Sequence, residues 1–212
     1  MPLHVLQHPV ATHYLTRLRS TETRPALFRR YCHIVTTALL FEATRDLNKC
    51  PVSIKTPLEP METHELEGEV VVVSILRAGL GMCEPFTDIL PRVSIGYLGL
   101  ERDEETAEAR PYYSKLPPIT GKRVFVVDPM LATGGSAILA LEQVMREKPG
   151  DVSFLCIVAA PEGVERLQRK YPDLPIFAGA LDRQLDEQKY IRPGLGDFGD
   201  RLYGTGVSGG RA

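Results

Sequence analysis

The sequence predicts an α/β fold with a mainly parallel central sheet flanked by helices, and two observations carry the prediction. Three runs dense in β-branched residues, Val70–Leu76, Arg123–Val127 and Val152–Ala159, are apolar almost without interruption, which is the pattern of strands buried on both faces. Helical segments lie between and after them: GLGMCEPFTDIL at 79–90, SAILALEQVMREK at 136–148 and PEGVERLQRKY at 161–171. That alternation is what right-handed crossovers in a parallel sheet require, and each strand then ends at a crevice where a ligand can sit.

The remaining elements follow in order along the chain. Over residues 25–47, Phe28, Tyr31, Val35, Leu39 and Ala43 recur at helical spacing. Pro25 suits the first turn of that helix, where its missing N–H would have had no partner. Residues 94–114, SIGYLGLERDEETAEARPYYS, place two strand-like arms around an acidic centre at 103–108 and predict a projecting β-hairpin flap. No repeat or Ser/Gly linker interrupts residues 1–205, and GVSGGRA at 206–212 reads as a flexible tail, so 1–212 is expected to be a single domain.

Composition narrows the function classes. With 212 residues and 43% hydrophobic side chains the chain can bury one full core, as a compact enzyme domain does. Lys and Arg number 25 against 27 Asp and Glu, a formal charge of -2, so there is no general attraction for nucleic acid or an anionic membrane, and any anion site must be local. Cys32, Cys50, Cys83 and Cys156 are scattered without a C-x-x-C pair, which argues against a zinc site or a disulfide framework and fits a reducing cytoplasm. The start, MPLHVLQHPV, lacks a secretory pattern, and no apolar stretch approaches the roughly 20 residues of a membrane helix. A soluble cytoplasmic protein is expected.

The most informative segment is VVDPMLATGGSAILAL at 126–141. A buried strand stops at Asp128, a Gly-containing loop follows, and a helix begins near Ser136. Unpartnered N–H groups and the helix dipole over residues 132–136 can wrap a phosphate, with the Thr133 and Ser136 hydroxyls as further donors. Gly134 and Gly135 let backbone close on the anion, and Asp128 faces whatever carries the phosphate; the vicinal hydroxyls of a sugar would suit it. The plain alternative is that Asp128-Pro129 starts a turn and residues 133–136 cap a helix. A nucleotide-hydrolysing Walker loop is a poor match, because Ser136 stands where its Lys belongs.

A second loop, SILRAGLGM at 74–82, closes another apolar run, and Arg77 is the only charge between Val70 and Met82. A strand terminus expected to be buried is an expensive place for an unpaired cation. Arg77 either pairs with Glu84 or Asp88 or offers its fork to an anionic ligand. A third segment, YIRPGLGDFGDRLYGT at 190–205, contains G-x-G-x-x-G at Gly194, Gly196 and Gly199. A dinucleotide fingerprint must follow a strand and open a helix, whereas Pro193 stands before this one, so the glycines are read as shaping a loop. With so little side chain, such a loop exposes N–H and C=O groups able to read the edge of a planar base.

Taken together these strings resemble the uracil branch of the type I phosphoribosyltransferases, over nearly the whole chain. DPMLATGGS resembles their phosphoribosyl-pyrophosphate (PRPP) loop, with Pro129 in place of a second acid as in the uracil branch. LRAGLG resembles the pyrophosphate loop, often built around a non-proline cis peptide; YIxPGLGDxGDRxxGT resembles the uracil-binding segment, and AAPEG at 159–163 occurs in the family's order. The resemblance implies PRPP contacts from Arg77, Ala78, Gly79, Arg102, Asp128, Pro129, Met130, Leu131, Ala132, Thr133, Gly134, Gly135, Ser136 and Asp197. It implies uracil contacts from Tyr190, Ile191, Gly196, Asp197 and Phe198, within a base-binding hood at about 182–205. Arg77, Arg102, Asp128 and Asp197 are the implied catalytic groups, with Arg102 carried on the flap. Mg²⁺ is the implied cofactor, held mainly through PRPP and water with Asp197 nearby. A homodimer or higher homo-oligomer and, in some relatives, a GTP effector are implied as well. Two positions depart from the pattern: Arg192, where an apolar residue is usual, and Phe198, where a ring in place of a small residue would narrow the base pocket. The rival readings are an RNA-binding pyrimidine regulator, disfavoured by the absence of a dense basic cluster, a non-catalytic nucleotide sensor, and transfer to a purine.

Overall fold

The computed structural model describes residues 3–102 and 109–205, in backbone only at 101–102 and 109–111. The acidic centre at 103–108 and the tail at 206–212 therefore lie outside the described residues. The elements run β1 (Leu3–Val5), α1 (Pro9–Arg19), α2 (Pro25–Ala43), β2 (Lys49–Lys55), β3 (Pro60–Leu66) and β4 (Val70–Leu76). A 3-10 turn (Ala78–Met82), α3 (Glu84–Ile89), β5 (Val93–Arg102), β6 (Ala109–Lys115), β7 (Arg123–Val127) and β8 (Met130–Leu131) follow. The chain continues with α4 (Gly135–Arg146), β9 (Val152–Ala159), α5 (Pro161–Lys170), β10 (Ile176–Leu181), β11 (Gln184–Leu185), β12 (Ile191–Arg192) and α6 (Phe198–Tyr203).

The main sheet has the order β1-β10-β9-β7-β4-β5-β6, with β8 added beside β9. All pairs are parallel except β5 with β6. Alternate side chains of the central strands face opposite layers. Val70, Val72, Phe125, Val127, Leu155 and Ile157 pack under α1, α2, α3 and α6. Val71, Val73, Val124, Val126, Phe154 and Cys156 pack under α4 and α5. Burial of both faces is why these strands are apolar throughout, and every residue of β9 is buried.

Topology fixes where a ligand can bind. From the central pair β4 and β7, the chain crosses to β5 on one side and to β9 on the other. The two crossovers diverge, leaving a crevice outside the carboxyl ends of β4 and β7, the general ligand position of open α/β sheets. Arg77 and Asp128 are the first residues past those two strands.

Several expectations are corrected. The helix expected over 25–47 stops at Ala43, with Thr44 as its C-cap. The helix expected over 79–90 is a 3-10 turn followed by a short α-helix with a proline at its start. The hairpin at 94–114 does not project along its whole length: Val93–Gly99 pairs in register with Val70–Leu76 inside the main sheet, and only its distal part lies beyond β4. The ribbon that does stand apart is β2–β3, a separate two-stranded sheet with Ile54, Leu58 and Met61 exposed. Its polar, Pro-interrupted strands gave no signal in the sequence.

Candidate active site

At the end of β4 the Leu76–Arg77 peptide is cis, and the chain tightens into the 3-10 turn. Gly79 is needed there: a Cβ would lie 2.7 Å from the Val127 carbonyl oxygen and 2.8 Å from Ser74 Oγ. The Arg77 loop is thus seated directly on the end of β7, beside Asp128. Arg77 itself is exposed, which corrects the expectation of a buried cation. Glu84 and Asp88 flank His33 instead, at 3.5 and 3.7 Å, so neither is the partner proposed for Arg77. One nitrogen of His33 and one carboxylate oxygen from each of Glu84 and Asp88 lie within 4.8 Å of one another.

Asp128 is partly buried at the end of β7. Burial pushes its carboxyl up to about 7, offset in part by the Met130 N–H, which donates to Oδ1 at 3.4 Å. After β8, Gly134 caps α4 in the left-handed region, at φ 75°, where a side chain would be strained. Thr133 Oγ1 accepts from the Gly135 N–H at 3.5 Å, a long contact within the loop. Beneath the loop sits Gly163 of α5, where a Cβ would fall 2.4 Å from the Ala132 carbonyl oxygen and 3.0 Å from that of Leu131. The AAPEG segment thereby supports the loop that precedes α4 from below.

The tail corrects the reading of the glycines. They lie between a two-residue strand, β12, and a short helix, α6, with Gly199 inside that helix; neither element belongs to the main sheet, so the dinucleotide reading still fails. Asp197 is the N-cap of α6, its Oδ1 accepting from the Asp200 N–H at 2.8 Å. Tyr190, Gly196 and Asp197 are exposed. The side chains of Ile191 and Phe198, 5% and 2% exposed, point into the core. Phe198 packs edge-on against Phe28 at 5.0 Å, which overturns the expectation that its ring narrows a base pocket. At both positions only backbone is left to meet a base. Arg192 is held on the surface by Asp186, with Nε at 2.7 Å from Oδ2, which accounts for its departure from an apolar residue.

The tail and the Arg77 loop meet. Tyr203 Oη, at the end of α6, donates to the Arg77 carbonyl oxygen at 3.0 Å across 126 residues of sequence. Sequence reasoning missed Tyr203 because nothing local distinguishes it. The structure thus brings Arg77, Ala78, Gly79, residues 128–136 and the 190–205 tail to one end of the sheet. Arg102 ends β5 at that same end, and its side chain lies outside the described residues. For Mg²⁺, a hard cation that keeps waters and binds through substrate phosphates and one or two carboxylates, the exposed Asp197 is a fitting donor beside these loops.

Comparison with known proteins agrees with this arrangement. The family model described as uracil phosphoribosyltransferase matches residues 5–205. Curated uracil phosphoribosyltransferases from Salinibacter ruber and Legionella pneumophila are 48% and 49% identical over 202 and 203 residues. They cover 95% of this chain in each case, and 96% and 95% of their own lengths. Among solved structures, the AQ2163 protein of Aquifex aeolicus superposes with a TM-score of 0.91 at 37% identity, covering 97% of this chain and 99% of its own. A hypoxanthine-guanine phosphoribosyltransferase from Bacillus anthracis, at 18% identity and a TM-score of 0.52 over 74% of this chain and 80% of its own, shares the fold alone. By sequence along its length and by fold, the chain belongs to the uracil phosphoribosyltransferase family.

Proposed function

We propose that the protein transfers the 5-phosphoribosyl group from PRPP to uracil, giving UMP and pyrophosphate, as a pyrimidine salvage enzyme. The observation that carries this reading is the meeting of three loops at the β4/β7 crevice, with the base-binding tail tied to the pyrophosphate loop through Tyr203. Residues 132–136 hold the 5-phosphate on the N-terminus of α4, and Asp128 accepts from the ribose hydroxyls. Arg77, the amides of Ala78 and Gly79, and Arg102 from the distal part of β5–β6 hold the pyrophosphate. Uracil lies against the backbone of Ile191 and Gly196 to Phe198, with Tyr190 at the rim.

The N1–C1′ bond forms as the C1′–oxygen bond breaks with inversion, through an oxocarbenium-like transition state. Pyrophosphate leaves with the bonding electron pair, and the N1 proton passes toward Asp197 and solvent. Fixed cationic donors aimed at the departing oxygens stabilise charge where it develops. Asp197, together with the phosphates of PRPP, would hold Mg²⁺, which would supply further neutralisation of that charge. A homodimer or larger assembly, a cytoplasmic location and a GTP effector are family expectations. No helix among the described residues is long and apolar enough to cross a membrane.

The test is pyrophosphate release from PRPP and Mg²⁺ with uracil, cytosine, hypoxanthine or adenine added separately, with and without GTP, beside the Asp128→Asn variant. Release with uracil alone, lost in the variant, is the expected result. Release with a purine, or with no base selectivity, refutes it. Light scattering of the same preparation gives the oligomeric state.

A further inference from the structure

The geometry points to Arg19, Asp182 and Arg201 as positioning residues for base recognition: together they fix the turn at 194–195 from which the base-reading backbone at 196–198 extends. This inference rests on the proposed uracil site. None of the three is among the residues expected to touch a substrate.

Asp182 follows β10 directly and is 8% exposed. The Arg19 guanidinium, from the last turn of α1, donates Nη2 to Asp182 Oδ1 at 2.5 Å and Nη1 to Oδ2 at 2.8 Å. The same Nη1 donates to the Gly194 carbonyl oxygen at 2.7 Å, and the Gly194 N–H donates to Asp182 Oδ2 at 2.8 Å. One ion pair therefore grips Gly194 by both its N–H and its C=O. The next carbonyl is held from α6: Arg201 Nη1 donates to the Leu195 oxygen at 2.6 Å and Nη2 to the Ser20 oxygen at 2.5 Å. The guanidinium of Arg201 also lies over the Phe28 ring, 4.6 Å from its centroid.

Two consequences follow from this network. Consecutive carbonyls, at 194 and 195, are engaged by charge-assisted bonds, the stronger and more directional class. Both clamps are anchored at the C-terminal end of α1, through Arg19 itself and through the Ser20 carbonyl, so the first helix of the protein sets the position of its base-binding tail. Recognition of a planar base by backbone needs amides placed to a fraction of an ångström, and glycine-rich backbone has little stiffness of its own. Arg19, Asp182 and Arg201 supply that stiffness. Their hydrogen bonds reach neither Arg77 nor residues 128–136, so weakening them acts on the base and spares PRPP.

Steady-state kinetics of Arg19→Lys and Arg201→Lys tests the assignment, with uracil varied at saturating PRPP and PRPP varied at saturating uracil. A lysine keeps the charge and cannot hold two acceptors in a planar fork. The expected result is a KM for uracil raised about tenfold or more, with the KM for PRPP within about twofold of the parent. Should either lysine variant fail to fold, Asp182→Asn, which keeps an acceptor for the Gly194 N–H, is measured for the same split. Equal rises in both KM values, or a lowered melting temperature with unchanged kinetics, overturns the proposal and leaves a structural role only. Gly196→Ala is the reference for the base site itself. If it raises the uracil KM and the lysine variants do not, the clamp proposal alone fails; if it leaves the uracil KM unchanged, the base-site reading fails and the clamp proposal with it.

Discussion

Replacing Asp128 with Asn should stabilise the substrate-free protein while abolishing its activity, and the size of the gain should depend on pH. Burial raises this carboxyl from 3.8 to about 7 in the folded protein. Below about pH 4 both folded and unfolded chains carry the proton, and the group contributes nothing. Between about 4 and 7 the unfolded chain ionises first, so stability falls as pH rises; above 7 the penalty is constant. A shift of about three units corresponds to about 4 kcal/mol at ~1.36 kcal/mol per unit. Asp128 keeps part of its surface in water, and screening reduces the penalty to roughly 2 kcal/mol. Asn keeps the oxygen that accepts from Met130 and never ionises, so it escapes the penalty. For a chain of this size, ~2 kcal/mol is about 4–8 °C in melting temperature. Thermal unfolding of both proteins at pH 4.5 and pH 8 is the assay: the variant should melt about 5 °C higher at pH 8, with the gap nearly closed at pH 4.5. Adding PRPP and Mg²⁺ at pH 8 should reverse the order, since only the parent binds them tightly. A variant less stable at pH 8, or a gap independent of pH, refutes the reasoning.

Other perturbations separate the parts of the site. Arg77→Ala should lower turnover by about 10²- to 10³-fold with little change in melting temperature, because Arg77 is exposed; parental turnover would remove it from the mechanism. Gly163→Ala should raise the KM for PRPP and leave that for uracil unchanged, since its Cβ would press on the Ala132 and Leu131 carbonyls beneath the phosphate loop. Phe198→Ala should cost about 3–5 kcal/mol of stability by opening a cavity beside Phe28, with the base preference unchanged in the same panel of bases. A gain of purine use would restore the idea that the ring borders the base.

The residues proposed to carry the chemistry stand out in the sequence because they break local rules. Asp128 interrupts the end of an apolar run, Arg77 is a lone charge after another, and paired glycines sit where a strand should turn into a helix. The central strands were legible for the opposite reason: with both faces buried, β4, β7 and β9 carry no polar residue to blur their ends except Ser74, Ser153 and Arg123. What stayed hidden depends on pairs distant in sequence. Phe198 looks like an obstruction until Phe28 appears beside it, 170 positions away by their numbers, and β2–β3 pairs strands too polar to announce themselves.

The same logic explains why the positioning residues escaped notice. The sequence assigned no role to Arg19, Asp182, Arg201 or Tyr203, although Arg201 stands inside the pattern YIxPGLGDxGDRxxGT. Their importance lies entirely in what they reach: the Gly194 and Leu195 carbonyls and the Arg77 carbonyl. A substrate group must be of a particular chemical type and so marks the sequence; a residue that holds backbone in place needs only a donor of the right length arriving from elsewhere in the fold. In this protein the second class connects the 190–205 tail to α1 on one side and to the Arg77 loop on the other, so the tail's placement is a property of the assembled fold rather than of the tail's own glycines.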